Sequence, residues 1–344
     1  MKKIGFDIGS RNLRVVTEEG ILRTFPAVMA ADPVNGAPLA FGFEAEQLAS
    51  RTPGCVKLVY PFESLGFDDS LNIGSETVTG GAASNSDFSG PVCGVTPELL
   101  SDFLRYALDN ASDRRLHPRE IAIALPGDQT DEKEQLCFNA CTKAGAREVF
   151  VVDTMLAAAY GANANIDSDI VIVNAGASVC DMGVYSYSKL VDFRSVPAAG
   201  SAFDLAVRKH VFDKYRISVT SKEAEAIKIE IGSVEPSDSE RECLGLGLKT
   251  SLGLPRRFRL RSGELLETFE PVIGLISDGL IALLNDLRFE PVKIILTGGS
   301  AMLPGLAEAL TETTGITSAP AYETDCDCCV AWGVSSMIAD GMLV

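Results

Sequence analysis

The sequence predicts an α/β protein of two related domains, each a mixed sheet flanked by helices. Three observations carry that prediction. The chain has 344 residues, too many for one ordinary core and enough for two domains of common size. A pair of strands around a small polar turn opens the chain over residues 4–17 and recurs at about residues 170–186. After each pair, short apolar runs alternate with segments of helical period, as expected of a sheet with helices packed on its faces.

IGFDIG and LRVVT, parted by SRN, form the first pair. EGILRTFPAVMA continues as strand and extended chain, with Pro26 at a sheet edge because proline cannot donate to a ladder. Residues 64–94 are rich in Gly, Ser, Asn and Asp and read as a long surface loop or disordered insert. In VTPELLSDFLRYALDNAS a threonine cap precedes a proline at the first helical position. Leu99, Leu100, Phe103, Leu104 and Leu108 then repeat at helical spacing. EIAIALP is a short buried strand, TDEKEQLCFNACTKAG a helix that Gly145 can end, EVFVV a strand and TMLAAAYGA a helix. IVIVNAG opens the second pair, SVCD is its polar turn and MGVYS the returning strand. SGELLETFEPVIGLISDGLIALL reads as helix despite Pro271, where a kink or a break is expected. KIILTGG is a strand running into a glycine turn, and MLPGLAEALTETTG is the helix after it. No short-period solenoid repeat is present.

Hydrophobic residues make up 46% and charged residues 22%, a soluble globular composition. The net charge of −17 leaves no basic stripe to displace counterions from nucleic acid, and it works against anionic lipid headgroups. No apolar run reaches the length of a membrane span. The opening MKKIGFDIGS places an acid, Asp7, where a signal peptide needs apolar residues, so a cytoplasmic chain with reduced cysteines is expected. Cys326, Cys328 and Cys329 cluster in DCDCC without a second CxxC half, and the chain has only His117 and His210. They read as small hydrophobes near a helix start rather than as a zinc site.

The turns carry the chemistry. A triphosphate needs backbone N–H donors close to its oxygens, which favours Gly, Ser and Thr around it. Magnesium keeps several waters and is held through one or two carboxylates. DIGSRN at 7–12 offers a carboxylate at a strand end followed by Gly9 and Ser10. NAGAS at 174–178 is a second turn of the same shape, followed by Asp181. LTGGSAMLPGL at 296–306 is a third, with Gly298 and Gly299 between strand and helix.

The order and spacing of these three turns resemble the actin, sugar-kinase and DnaK-type chaperone superfamily. AGAREVFVVDTMLAAAYGA, SKEAEAIKIEIGS, GLPRRFRLRSGELLE and KIILTGGSAMLPGLAEAL resemble, in order, four segments of its MreB branch. The resemblance implies an actin-like ATPase fold, two RNase H-like domains around a central nucleotide cleft. It places domain I at 1–160 plus about 322–344, with subdomain IB at about 27–62. Domain II follows at 161–321, with subdomain IIB at about 196–261. It implies ATP or ADP with Mg2+ as cofactors. Asp7 would face magnesium through water, and Gly9, Ser10 and Asn12 would line the first phosphate loop. Asn174, Gly176, Ala177, Ser178 and Gly200 would belong to the second. Glu225 and Lys228 would lie beside the adenosine, and Gly298, Gly299 and Ser300 against the nucleotide from the other side. Read without the family, Glu225 and Lys228 are an i,i+3 surface ion pair on a helix.

The chain departs from the family pattern at the catalytic positions. Relatives read D-I-G-G-G-T-T-E where this chain has N-A-G-A-S-V-C-D, so Asn174 replaces a carboxylate, Ala177 and Ser178 replace glycines, and Val179 replaces a hydroxyl. Asp153 and Thr154 stand where the family has the two glutamates of E-E-P, the second of which would orient water. Ser201 replaces an acid, while Asp204 is kept. A misplaced water is costly to hydrolysis, so an ATPase with impaired turnover is expected. The loop DRRLHPRE exposes little apolar surface beyond Leu116, which predicts weak or absent direct membrane binding. The function implied is a filament of copies joined head to tail, or joining those of another MreB-like protein, in cell shape or internal organisation. It would be cytoplasmic, reaching the inner face of the membrane through partners. The alternatives are a non-hydrolysing paralogue acting as scaffold, and a small-molecule kinase or chaperone reactivase on the same fold.

Overall fold

The computed structural model describes residues 3–17, 19–52, 55–62, 96–111, 120–125, 131–249 and 253–342. The candidate insert at 64–94 and the loop at 113–119 lie outside the described residues. In chain order the first elements are β1 (Lys3–Ile8), β2 (Asn12–Thr17), β3 (Leu22–Pro26), β4 (Met29–Ala31), β5 (Pro38–Phe41), α1 (Gly42–Arg51) and β6 (Lys57–Val59). They are followed by α2 (Pro97–Asn110), β7 (Glu120–Leu125), α3 (Asp131–Ala144), β8 (Glu148–Asp153) and α4 (Thr154–Gly161). Next come β9 (Ile170–Ala175), β10 (Cys180–Ser186), β11 (Lys189–Val196), α5 (Gly200–Tyr215), β12 (Ile217–Ser218) and α6 (Ser221–Ile231). The remainder is β13 (Glu242–Lys249), β14 (Leu254–Arg261), α7 (Ser262–Asn285), β15 (Lys293–Thr297), α8 (Leu306–Thr314), β16 (Ser318–Pro320) and α9 (Cys329–Ala339). Short 3-10 turns lie at Gly299–Met302 and Cys326–Cys328.

The described residues up to Ala164, with those from Cys328 on, form one compact unit, and Asn165–Asp327 form a second. The first holds a five-stranded sheet in the order β3-β2-β1-β7-β8. Its first three strands are antiparallel neighbours, and β7 and β8 run parallel to β1. The second unit repeats this arrangement as β11-β10-β9-β15-β16, again three antiparallel neighbours and then two parallel additions. Pro26 ends the edge strand β3, where a missing donor costs no ladder bond. Smaller three-stranded sheets, β5-β4-β6 and β12-β13-β14, accompany the large ones.

Alternation along β1 explains the first core. Ile4 and Phe6 are fully buried and join Leu100, Phe103, Leu104 and Ile123 on one face. Gly5 turns to the other face, where an added Cβ would come 2.5 Å from Val334 Cγ1 of α9. Thr96 caps α2 by accepting from the Leu99 N–H, Pro97 takes the first turn, and Gly145 ends α3 at φ 115°. In the second unit Val171, Val173, Met182 and Val184 pack with Phe203, Phe269, Ile276 and Leu280. Pro271 lies inside α7, which runs through it without a break.

The sequence reading has no strands at 242–261, and the structure shows why the pattern misleads. In β13 the leucines face outward: Leu244, Leu246 and Leu248 are exposed. The alternate positions Gly245 and Gly247 lie against Phe258 and Ile217, where a Cβ would meet ring or methyl carbons within 2.5 Å. Arg259 and Arg257 pair in register with Leu244 and Leu246 across the hairpin.

Helices α4 and α9 touch at backbone level. A Cβ on Gly161 would lie 1.7 Å from the Cys329 carbonyl oxygen, and one on Gly333 would lie 1.8 Å from that of Ala157. Gly333→Ala should therefore destabilise the protein by about 2 kcal/mol or more in urea unfolding. Gly274→Ala, on the same test, should be neutral or stabilising by up to about 1 kcal/mol, because an added Cβ there meets nothing within 4 Å on a helix.

Candidate functional site

Antiparallel register places Asp7 opposite Arg14 in the first hairpin. Arg14 NH1 donates to Asp7 Oδ2 at 3.2 Å, and the two side chains are only 7% and 11% exposed. Gly9 closes the turn by donating its N–H to Asn12 O at 2.9 Å, and a Cβ on it would sit 2.9 Å from that same oxygen. Ser10 and Asn12 are half-buried on the turn. The Ala27 N–H donates to Arg11 O at 2.8 Å and fixes the turn to the chain beyond β3.

The second hairpin is held from three directions. Gly176 closes it by donating its N–H to Val179 O at 3.0 Å. From the start of α5, the Gly200 N–H donates to Gly176 O at 3.1 Å and the Ser201 N–H to Ala177 O at 2.6 Å. From the turn after β15, Ser300 Oγ donates to Gly176 O at 3.0 Å, and from the end of β15 Thr297 Oγ1 donates to Asn174 Oδ1 at 3.2 Å. Gly298 makes that approach possible: at φ 84° its missing Cβ would lie 2.4 Å from Ala175 O. From α6, Lys228 Nζ donates to Gly200 O at 3.2 Å and pairs with Asp204 Oδ1 at 2.8 Å. The returning strand begins at Cys180, so Cys180 and Asp181, read from sequence as turn, are strand residues.

Asn174, Gly176, Ala177, Gly200, Lys228, Gly298 and Ser300 thus form one connected network, with Ser178 on the same turn. Gly299, exposed, starts the 3-10 turn. Glu225 is half-buried one helical turn before Lys228, whose ion partner is Asp204 across the helix pair rather than Glu225. Asp153 is the N-cap of α4 and accepts the Leu156 N–H at 2.8 Å, and Thr154 is buried as the first helical residue.

The turn after β15 brings backbone donors beside the second hairpin. The leading N–H groups at Gly299 and Ser300 lack intrahelical acceptors, and small residues leave the backbone accessible. The arrangement does not suit hydrated magnesium: the Asp7 carboxylate is already paired with Arg14, and Asn174 has no charge. The signal for Arg14 was present in the sequence as a lone cation in an apolar strand, and antiparallel counting from the turn pairs it with Asp7. Asp204 carries a weaker signal, one turn into the helix that follows AAG.

A separate cavity of about 500 Å3 is lined by His210, Lys214, Glu264, Glu267 and Thr268. Glu264 lies 3.1 Å from His210 Nε2 and also pairs with Lys214. Burial pushes its carboxyl up, but the Lys214 and His210 bonds outweigh this and hold it below the usual carboxylate range. Cys326, Cys328 and Cys329 are buried where the 3-10 turn meets α9, and among the described residues no group of three His, Cys, Asp or Glu side chains could hold a metal ion.

A family model described as MreB/Mbl protein matches residues 93–342. The chain belongs to the MreB/Mbl family. The cell shape-determining protein MreB of Escherichia coli (strain K12) is 31% identical over 326 residues, covering 91% of this chain and 87% of its own length. The cell shape-determining protein Mbl of Bacillus subtilis (strain 168) is 28% identical over 346 residues, covering 98% and 96%. Among solved structures, MreB 5 of Spiroplasma citri bound to AMPPNP superposes with a TM-score of 0.81 at 22% identity, over 99% of this chain and 98% of the other. A MamK double helical filament gives 0.74 at 16% identity, over 98% of each chain. The fold is that of the actin-like ATPases.

Two substitutions test the MreB-type second hairpin. Gly298→Ala should cost about 2 kcal/mol or more by chemical denaturation, since it combines a left-handed backbone with a carbonyl clash. Lys228→Met should cost about 3 kcal/mol, because it leaves the Asp204 carboxylate buried without its cation.

Proposed function

We propose that the chain binds adenine nucleotide and assembles head to tail, with itself or with another MreB-like protein, into filaments serving cell shape or intracellular organisation. Hydrolysis of ATP is slow or absent. The observation that carries this reading is the end-to-end likeness to proteins named for cell-shape determination, joined to the glycine turn after β15 that bonds to the second hairpin. MreB 5 of Spiroplasma citri holds AMPPNP in one structure and ADP in another, and the MamK neighbour is a filament. A heterologous, head-to-tail contact that does not close generates filaments.

In this reading Gly9, Ser10 and Asn12 approach phosphate from the first hairpin. Gly176, Ala177, Ser178 and Asn174 do so from the second, with Gly298, Gly299 and Ser300 from the glycine turn. Glu225 lies beside the adenosine. Lys228 is a positioning residue, since its ammonium is committed to Asp204 and Gly200 O. Gly200 likewise spends its N–H on the turn.

Asp153 and Thr154 support the impaired turnover. The only carboxylate of the pair serves as a helix cap, and the hydroxyl of the other cannot act as a carboxylate base. The same observation favours a second reading, a non-hydrolysing paralogue that works as scaffold for another shape protein.

Pelleting at high speed should increase with protein concentration in the presence of ATP; a chain that stays in the supernatant in every nucleotide state overturns the filament reading. Phosphate release should lie about a hundredfold or more below that of the Escherichia coli relative in the same buffer. Equal rates would remove the case for impaired hydrolysis, and binding with no release at all selects the scaffold reading.

A further inference from the structure

We infer that this chain takes its nucleotide phosphates without requiring a divalent cation, because the carboxylates that would hold one are committed or replaced. The inference rests on the nucleotide reading above.

Magnesium at phosphate is held through one or two carboxylates and its own waters. In the first hairpin the carboxylate in that position is Asp7, and its antiparallel partner is Arg14. β2 reads Asn-Leu-Arg-Val-Val-Thr, and Leu13, Val15 and Val16 are buried. Arg14 is the one charged residue on the strand, and it stands at the one ladder position facing Asp7. With both side chains about nine-tenths buried and 3.2 Å apart, the pair resists separation, because either charge left alone there is heavily penalised. A dication drawn to Asp7 would meet a cation already in place, and the two repel.

The second hairpin loses its metal anchor by a different route. At the ladder position matching Asp7 stands Asn174, whose Oδ1 accepts from Thr297. Its cross-strand partner is Asp181, so a carboxylate is present there but on the returning strand. That carboxylate is 5% exposed and accepts from Ser195 Oγ at 2.6 Å. Neither hairpin therefore presents an uncommitted carboxylate.

The test is calorimetric titration of the full chain with ATP and with ADP, in excess magnesium and in excess EDTA. The expected result is affinities within about tenfold of each other in the two buffers. Binding in magnesium that weakens by more than about tenfold in EDTA overturns the inference and leaves the nucleotide reading intact. No binding in either buffer overturns the nucleotide reading itself, and the inference with it. Asn174→Asp should create the missing dependence, with affinity falling more than about tenfold on chelation. Arg14→Gln, which releases the Asp7 carboxylate from its pair, should likewise make affinity fall more than about tenfold on chelation. If Arg14→Gln fails to fold by circular dichroism, the half-buried Asn174→Asp decides alone, and a variant as indifferent to chelation as the parent counts against the inference.

Discussion

The approach of the chain after β15 to the end of β9 is the constraint on which the second unit's site depends. It is possible only because position 298 carries no side chain and adopts a left-handed backbone. Once Gly298 has passed the Ala175 carbonyl, Ser300 reaches Gly176 O and Thr297 reaches Asn174. The same carbonyl of Gly176 accepts from Gly200, which in turn offers its own carbonyl to Lys228. A turn of five residues is thereby tied to two helices and a strand, and its geometry is set by long-range bonds rather than by its own sequence. This explains how Ala177 and Ser178 can replace glycines there without dissolving the turn.

The two units share one strand order and one sequence of parallel and antiparallel pairings. Their chemistry is no longer shared. At matched ladder positions the first hairpin has an acid facing a base, and the second an amide facing an acid. Topology is fixed by burial of alternating apolar residues, which both hairpins keep. The single inward polar position of each is free to change as long as its partner satisfies it. The two hairpins therefore differ at this polar pair while keeping the same strand order and pairing.

Local signals gave most of the architecture. Thr96, Pro97 and Gly145 mark helix ends through chemistry that acts within one turn of chain, and all three act as expected. The paired hairpins were legible because strand–turn–strand is also a local pattern. The hairpin of β13 and β14 was not, since the leucines of β13 face solvent and its glycines face the core, the reverse of the rule that reading depends on. Site residues divide the same way. Gly9, Gly176 and Gly298 could be found from turn chemistry. The bonding of Lys228 to Asp204 could not, because it joins two helices, and helical spacing alone points to Glu225 instead. The capping role of Asp153 was available in principle, as an acid just before an apolar helix.

The backbone-level contact of α4 with α9 has a consequence for the order in which the protein forms. Among the described residues the second unit runs from Asn165 to Asp327, so all its strands there exist before α9 has been synthesised. The first unit begins the chain yet waits for α9, which covers the face of β1 carrying Gly5. Until then that apolar face stays open, and the contacts that close it span most of the chain. Such distant closure is slow and leaves a sticky surface on the nascent protein. The unit begun first in the growing chain is thus the last to be completed.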